Sequence, residues 1–349
     1  MKLLVITQVV DSQDPVLGFF HNWLLKFSSN FDQVTAICLK RGKNNLEGKV
    51  KVLSLGKEDG PSRPRYLFRL FKYIWRERKN YDAVFVHMNQ EYVLLAGWLW
   101  WLLGKKVYLW RNHHSGSWLT DFAALFCQNI FCTSKYSYTA KYRKTILMPV
   151  GIDTDIFKPL ESVCKIPNSI LFISRIAPVK KPHVLLEALK KVSAEGVTFQ
   201  ADFYGDPLPS DEGYYQRLKD GVTADNLSES VRFYPGVPNT EITLLYNQHE
   251  VSINLSSSGM YDKTIFEAMS CGGLILACNR NLIGQIGKEF LFEEDDSNDL
   301  AQKLRIILSL DQVEKRKSAA DLRRYTEAHH SLDLLVSRLK KVLSKPGND

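Results

Sequence analysis

The chain has 349 residues, and its balance of 45% apolar and 24% charged residues is that of a soluble globular protein with about two domains. Its six cysteines form no Cys-x-x-Cys pair and mostly lie in apolar contexts, which favours reduced core residues over disulfides or zinc ligands. The longest apolar run, Tyr92–Leu103, is too short to span a bilayer, which takes roughly 20 residues. The first ten residues predict a buried strand and lack the cleavage pattern of a signal peptide.

The net charge of +8 is unevenly distributed along the chain. Residues 1–150 contain 22 Lys and Arg against 10 Asp and Glu, a net charge of +12, whereas the remainder carries a net charge of −4. The basic part indicates an anionic partner, which could be a membrane surface, a phosphorylated acceptor or nucleic acid. Because its mixture of aromatic and basic residues contains no recognised nucleic-acid motif, we expect no nucleic-acid partner.

The first 150 residues alternate between short apolar strands and helices. Strands are predicted over 3–10, 34–39, 50–55, 83–87, 107–110, 129–133 and 145–148, and helices over 19–27, 65–79, 91–103 and 122–126. This alternation is typical of a parallel sheet covered by helices.

One helix of this half carries a stripe of positive charge. Its cations recur at spacings of four and three residues and therefore share one face: Arg65, Arg69, Lys72, Arg76 and Lys79. Apolar and aromatic residues flank this basic stripe, among them Phe68 and Trp75. The stripe is either a solvated helix face or a docking surface for an anionic membrane.

The second half continues the alternation. Strands are predicted over 169–174, 199–204, 231–234, 251–255 and 274–278, and helices over 183–192, 242–247, 265–269, 300–309 and, as a charged run, 313–341. Between the strand at 251–255 and the next helix lies a Ser/Gly loop. In a parallel sheet such a loop lies at the carboxyl edge, where ligands bind, and a helix N-terminus there can receive phosphate. Glu267, inside that helix, is either a hydrogen-bond acceptor for a ribose diol or a solvated glutamate.

The segment Ser258-Gly259…Phe266-Glu267-Ala268-Met269-Ser270-Cys271-Gly272 resembles the signature of family 4 glycosyltransferases, retaining enzymes of the GT-B fold that use nucleotide sugars. Residues 149–159 are similar to the interdomain segment of that family, Pro-x-Gly-Ile-Asp-x-x-x-Phe-x-Pro. The resemblance implies an α/β protein with two Rossmann-like parallel-sheet domains facing each other across a cleft. Residues 1–150 would bind the acceptor, 151–325 would bind the nucleotide sugar, and 326–349 would contain a helix that packs back on the first domain.

The resemblance also implies site residues. Arg175 and Lys180 fall on the cations that clamp the donor diphosphate, and His113 follows a strand where the family often has a histidine near the donor sugar, although His114 is adjacent. Together the three form the predicted catalytic set. The predicted donor-binding residues are Gly18, Gly205, Val237, Gly259, Asp262, Lys263, Thr264 and Glu267. The first of the two signature glutamates falls on Gly259, and Asp262 and Lys263 are the nearby candidates to substitute for it. No metal ligand and no cofactor is expected besides the nucleotide sugar itself.

The function implied is transfer of a hexose-type sugar from a nucleotide sugar to a lipid-linked glycan or glycolipid acceptor in envelope polysaccharide synthesis. The work would take place in the cytoplasm, on the inner face of the cell membrane. Two alternatives remain open. A nucleotide-sugar epimerase would usually show paired catalytic carboxylates, and the sequence shows none; a non-catalytic partner subunit of the same fold would be compatible with Gly259.

Overall fold

The computed structural model describes residues 1–14 and 16–344, without the side chains of residues 239 and 240. Pro15, in a predicted turn, and residues 345–349 of the predicted C-terminal segment lie outside the described residues. The chain divides into two compact units. The first contains Met1–Gly151 and the helix that follows Ser331, and the second contains Ile152–His330.

The first unit is built on a seven-stranded parallel sheet. Its strand order is β3-β2-β1-β4-β5-β6-β7. The strands are β1 (Lys2–Val10), β2 (Gln33–Arg41), β3 (Val50–Ser54), β4 (Ala83–His87), β5 (Lys106–Trp110), β6 (Asn129–Cys132) and β7 (Thr145–Leu147). Its helices are α1 (Phe19–Asn30), α2 (Arg63–Glu77), α3 (Glu91–Leu102), α4 (Trp118–Leu125) and α11 (Leu332–Leu343).

Alternate side chains of β1 point into two separate hydrophobic cores. Leu3 and Val5 pack with α1 and α11 on one face of the sheet, whereas Leu4 and Ile6 pack with α2, α3 and α4 on the other. Strand side chains alternate with a period of two, so an uninterrupted apolar strand is buried on both faces. The strands of this sheet are continuous apolar runs in the sequence because helices cover both faces of the sheet.

Helix α11 belongs to the first unit although it follows the second in the chain. Leu335 and Leu339 lie in the core that α1 shares, and Lys26 of α1 pairs with Asp333 at 2.8 Å. The preceding helix, α10 (Gln312–His330), belongs to the second unit and ends where Ser331 caps α11. The predicted domain boundary at residues 325/326 therefore falls inside a continuous helix, five residues before the unit ends.

The second unit contains a five-stranded parallel sheet of order β10-β9-β8-β11-β12. The strands are β8 (Ile166–Ile173), β9 (Gln200–Tyr204), β10 (Val231–Tyr234), β11 (His249–Asn254) and β12 (Leu274–Ala277). Its helices are α5 (Pro182–Ala194), α6 (Glu212–Ala224), α7 (Asn239–Gln248), α8 (Lys263–Ser270), α9 (Ser297–Ser309) and α10. The predicted α/β class with two parallel sheets is confirmed.

Helix α6 has no counterpart among the predicted elements. Only Leu218 and Val222 of this helix are buried, and two glycines, Gly213 and Gly221, lower its helix propensity. A surface helix with so narrow an apolar stripe gives a weak periodic signal. Among the described residues, no helix has the length and apolarity needed to cross a membrane.

Candidate functional site

The carboxyl edge of the second sheet brings four loops together. The loops after β8, β9 and β10 are joined by backbone hydrogen bonds: Ser174 N–H donates to the Tyr204 carbonyl and Gly205 N–H to the Tyr234 carbonyl, each at 3.1 Å. The fourth loop follows β11, which pairs with β8 in the same sheet. In open parallel sheets this edge is where ligands bind, and the predicted donor residues of this unit lie in these loops or on α8, which follows the fourth loop.

Gly205 is required by the geometry of this edge. Its φ is +152°, and a Cβ at this position would lie 1.9 Å from the Ser174 carbonyl oxygen. The next residue, Asp206, fixes the loop after β10, because its carboxylate accepts a hydrogen bond from Gly236 N–H at 3.1 Å. Val237 follows in that loop and is half-buried. Gly205 and Val237 therefore lie in adjoining loops at the same edge.

Lys180 links the loop after β8 to the N-terminus of α8. Its ammonium lies 3.0 Å from an Asp262 carboxylate oxygen and 3.3 Å from Ser256 Oγ. Asp262 also accepts a hydrogen bond from Ser256 Oγ at 2.7 Å and caps α8 by accepting from Thr264 N–H at 3.2 Å. Three predicted site residues are thus in direct contact through one carboxylate.

This carboxylate is held in its charged form. Burial alone would raise the pKa of Asp262, but the Lys180 charge and the hydrogen bonds from Ser256, Lys180 and Thr264 outweigh burial and hold it well below its usual range. The N-terminus of α8 therefore already faces one fixed negative charge. An incoming diphosphate would have to share the Lys180 ammonium with Asp262.

Arg175 differs from Lys180 in its surroundings. Its side chain is exposed, and it makes no ion pair within residues 1–14 and 16–344. Of the two predicted clamp cations, Arg175 is therefore available to solvent, whereas Lys180 is engaged with Asp262. Gly259 is half-buried in the loop between β11 and α8, close in sequence to this cluster.

Glu267 is buried, so the interpretation as a solvated helix glutamate is wrong. It accepts a hydrogen bond from the Tyr246 hydroxyl at 3.2 Å. Burial, and to a lesser degree the neighbouring Asp262, raises the pKa of Glu267 against the opposing charge of Lys263. Lys263 lies one turn earlier on α8, and burial lowers the pKa of its ammonium. The two opposite charges therefore interact one turn apart on α8, next to the Lys180–Asp262 contact.

Two predicted site residues belong to the first unit. His113 is exposed in the loop after β5; its Nδ1 accepts a hydrogen bond from Ser115 N–H at 2.9 Å, and its ring stacks on His114 at 4.4 Å. Gly18 caps α1 with φ −55°. Because any residue adopts that conformation, the backbone at this position does not itself require glycine.

Sequence reasoning did not identify Ser256 or Tyr246 as site residues. Ser256 carries a usable signal, since a polar residue directly after a buried strand lies at the ligand-binding edge of the sheet. Tyr246 has no such signal in the sequence. It is 21 residues from Glu267, and the packing of α7 brings the two side chains together. In the described part of the chain, no three His, Cys, Asp or Glu side chains are grouped as metal ligands would be.

Comparison with known proteins finds a family model that matches most of the second unit. Residues 160–328 match the model of the family "Glycosyl transferases group 1". The D-inositol 3-phosphate glycosyltransferase of Geodermatophilus obscurus is 25% identical over 188 residues, which cover 49% of this chain and 42% of that protein. That of Mycobacterium tuberculosis H37Ra is 26% identical over 135 residues, covering 36% and 27%. The matched segment therefore spans less than half of these curated relatives.

Solved structures resemble the whole chain. Anabaena Alr3699/HepE in complex with UDP gives a TM-score of 0.79 at 18% identity, covering 99% of this chain and all of that one. Sucrose-phosphate synthase from Thermosynechococcus elongatus gives 0.72 at 16% identity, covering 98% of both. These likenesses confirm the predicted GT-B fold. Residues 160–328, a little under half of the chain, are therefore similar to the glycosyl transferases group 1 family.

Proposed function

We propose that the chain is a retaining glycosyltransferase that moves a hexose-type sugar from a nucleotide sugar to an acceptor. The observation that carries the proposal is the cluster at the carboxyl edge of the second sheet, where Lys180, Asp262 and Thr264 meet and Glu267 is buried one turn further along α8. A buried carboxylate, a fixed ammonium and a helix N-terminus are groups that can hold a ribose and a diphosphate.

The chemistry asked of these residues is stabilisation of a leaving group. The donor diphosphate gains negative charge as its bond to the sugar breaks, so cations fixed beside it stabilise the transition state more than the ground state. We assign that role to Arg175 and Lys180. Glu267 would accept hydrogen bonds from the ribose hydroxyls, and Gly205 and Val237 would admit the nucleotide to the loops after β9 and β10.

UDP-glucose is the first donor to test. Structures of Anabaena Alr3699/HepE hold UDP and UDP-glucose, and that protein has a similar fold. The remaining proposed donor contacts are Gly18, Gly259 and Lys263, with His113 near the sugar. We further propose that the first unit binds a lipid-linked glycan or glycolipid of envelope polysaccharide synthesis, on the cytoplasmic face of the membrane. The concentration of positive charge in residues 1–150 supports an anionic partner there.

The test measures UDP-glucose turnover and UDP affinity in two single variants. Replacing Arg175 or Lys180 with alanine should raise the activation free energy by about 2–4 kcal/mol, the range for losing one preorganised charge stabiliser. Lys190→Ala is the matched control, because Lys190 lies on α5 in the same unit and pairs with Asp225 at 2.6 Å on an exposed surface. Turnover like that of the control in both variants would overturn the assignment of the clamp.

Gly259 favours one alternative, a subunit that keeps the fold without the reaction. That alternative predicts UDP binding with no sugar transfer or donor hydrolysis for any acceptor. Stereochemistry decides the rest of the proposal: a product whose anomeric configuration is inverted would exclude a retaining enzyme.

A further inference from the structure

Four of the seven tryptophans are on the surface of the first unit. Trp75, Trp98, Trp101 and Trp118 are exposed, whereas Trp23, Trp100 and Trp110 are buried. All four exposed tryptophans lie on α2, α3 and α4, the helices that cover one face of the first sheet. Exposed aromatic residues grouped on neighbouring helices mark an interaction surface rather than ordinary solvent exposure.

Helix α3 is apolar on every side. Its one charged residue is Glu91, at its first position. Val93 and Trp100 face the core, but Trp98 and Trp101 on the opposite side are 48% and 73% exposed. A helix that is apolar all round is normally buried on all sides, and this one is buried on only one.

Helix α4 continues the same surface. Trp118, Phe122 and Leu125 recur at spacings of four and three and so form one outward stripe; Trp118 and Leu125 are 73% and 72% exposed. The two helices approach closely, because Gly97 of α3 lies against the Phe126 ring, where a Cβ would come within 2.8 Å. We call the combined surface the aromatic face: Trp98, Trp101 and Leu102 of α3 with Trp118, Phe122 and Leu125 of α4.

Positive charge borders the aromatic face. Residues 63–106 contain nine Lys and Arg against three Asp and Glu. Helix α2 adjoins α3 through the Phe71 and Trp98 rings, whose centroids are 6.3 Å apart. Lys72 is exposed on the outer side of α2. Lys79, which was predicted on the same helix, lies two residues beyond its end at Glu77 and is also exposed. Neither ammonium forms an ion pair within residues 1–14 and 16–344. The surface is therefore apolar in its centre and cationic along one border.

The basic stripe predicted from the sequence is less available than its five charges suggest. Arg69 pairs with Asp59 at 3.3 Å, and Arg65 lies 3.9 Å from the same carboxylate. Arg76 pairs with Glu77 at 3.0 Å. The two contacts with Asp59 are exposed and weak, whereas the Glu77 carboxylate that holds Arg76 is buried. Lys72 and Lys79 are therefore the cations of the stripe with the least competition for their charge. The aromatic face is therefore a larger exposed feature than the available part of the basic stripe.

We infer that the aromatic face inserts into the interfacial layer of an anionic lipid bilayer, with Lys72 and Lys79 resting on the lipid headgroups. Tryptophan favours that layer because its ring is apolar and its N–H is polar, and interfacial binding combines apolar insertion with attraction to anionic lipid. The inference deepens the proposed function, on which it rests, by naming the surface that would bring the enzyme to a lipid-linked acceptor.

The experiment measures co-sedimentation of the full chain with vesicles of phosphatidylglycerol and phosphatidylcholine, or of phosphatidylcholine alone. The test variant replaces Trp101, Trp118 and Leu125 with serine. The control replaces Val179, Ile283 and Val313 of the second unit, which are 64%, 64% and 72% exposed, with serine. The triple change in the aromatic face should lower vesicle partitioning roughly 1000-fold, since each of the three lost apolar groups reduces it about tenfold. The control should bind like the wild type.

Charge and depth give two further readouts. Lys72→Gln with Lys79→Gln should weaken binding to anionic vesicles severalfold and remove much of its dependence on salt. Brominated lipid should quench the wild-type tryptophan fluorescence and quench the test variant much less.

Three outcomes would overturn the inference. The first is no vesicle binding by the wild type, and the second is an equal loss of vesicle binding in the test and control variants. The third is a dimer that forms without lipid and that the aromatic-face substitutions dissociate. That result would assign the face to a second copy of the chain. UDP affinity measured on the same preparations separates the two proposals. Intact UDP binding without vesicle binding ends the membrane inference alone, and vesicle binding without UDP binding ends the proposed function alone.

Discussion

Gly205→Ala should disturb the candidate site more than any other single methyl group added to it. The added Cβ would lie 1.9 Å from the Ser174 carbonyl oxygen and 2.8 Å from its carbonyl carbon. Both are backbone atoms, so no side chain can rotate away. Two hydrogen bonds hold the loops after β8 and β9 in register here, from Ser174 N–H to the Tyr204 carbonyl and from Ile176 N–H to the Asp206 carbonyl. These loops would have to separate by more than 1 Å for the added Cβ to reach an ordinary contact distance.

The size of the effect has two parts. The backbone conformation at φ +152° costs a residue with a side chain about 1–3 kcal/mol, and overpacking costs about 1–3 kcal/mol more. We therefore expect a loss of about 4 kcal/mol in the free energy of unfolding, a large share of the 5–15 kcal/mol that is typical of a domain. Displaced loops should also weaken UDP binding by roughly tenfold or more.

Urea denaturation followed by tryptophan fluorescence measures the stability, and calorimetry measures the affinity for UDP. Gly196→Ala is the matched control, because Gly196 also has a positive φ, +78°, but its Cβ would meet nothing within 4 Å. Gly196→Ala should lower the free energy of unfolding only by the cost of a positive φ, about 1–2 kcal/mol. It should leave the affinity for UDP unchanged. Equal losses of stability in the two variants, or an unchanged UDP affinity in Gly205→Ala, would refute the steric argument.

Two further predictions concern buried carboxylates of the second unit. Glu267→Gln should weaken UDP binding, because the ribose hydroxyls lose a charged acceptor. It should also stabilise the protein relative to wild type above neutral pH, since the raised pKa of Glu267 gives stability that is present below the unfolded pKa and lost as pH rises. Calorimetry and urea titrations between pH 5 and pH 8 would check both, and parallel pH profiles would contradict the second. Lys315→Ala should cost about 3–5 kcal/mol, because it leaves Glu250 buried without its partner at 2.8 Å, whereas the exposed Lys190→Ala should cost under about 1 kcal/mol. Burial would raise the pKa of Glu250, but Lys315 and further hydrogen bonds lower it. The stability of the wild type should therefore fall more steeply on acidification than that of the Lys315→Ala variant. An equal loss of stability with falling pH in both proteins would contradict a stabilising Lys315–Glu250 pair.

The strands were predictable because their apolar runs are buried on both faces of each sheet. Val84 and Phe85 of β4, for example, enter the two different cores of the first unit. Helix α6 could not be predicted, since two buried residues do not make a periodic signal. Element type thus follows from the amount of apolar surface that an element buries.

The site was predictable where its residues are neighbours in sequence. Lys263, Thr264 and Glu267 share helix α8, and their placement follows from the motif. The contact between Lys180 and Asp262 joins positions 82 residues apart, and the Tyr246 hydroxyl reaches Glu267 only through helix packing. Pairing across such separations depends on tertiary structure, which is also why the engagement of Arg69 by Asp59 could not be predicted.

The position of α11 has a consequence for how the chain folds during synthesis. Leu335 and Leu339 complete a core whose other members, such as Trp23 and Phe27, are translated some 300 residues earlier. Until residues 152–330 have left the ribosome, α1 has no partner for that surface, and the nascent first unit exposes it to chaperones and to other chains. The second unit has no such dependence, because all of its strands and helices are consecutive. We therefore expect the order of folding on the ribosome to run against the order of synthesis, with the later unit reaching its native state first.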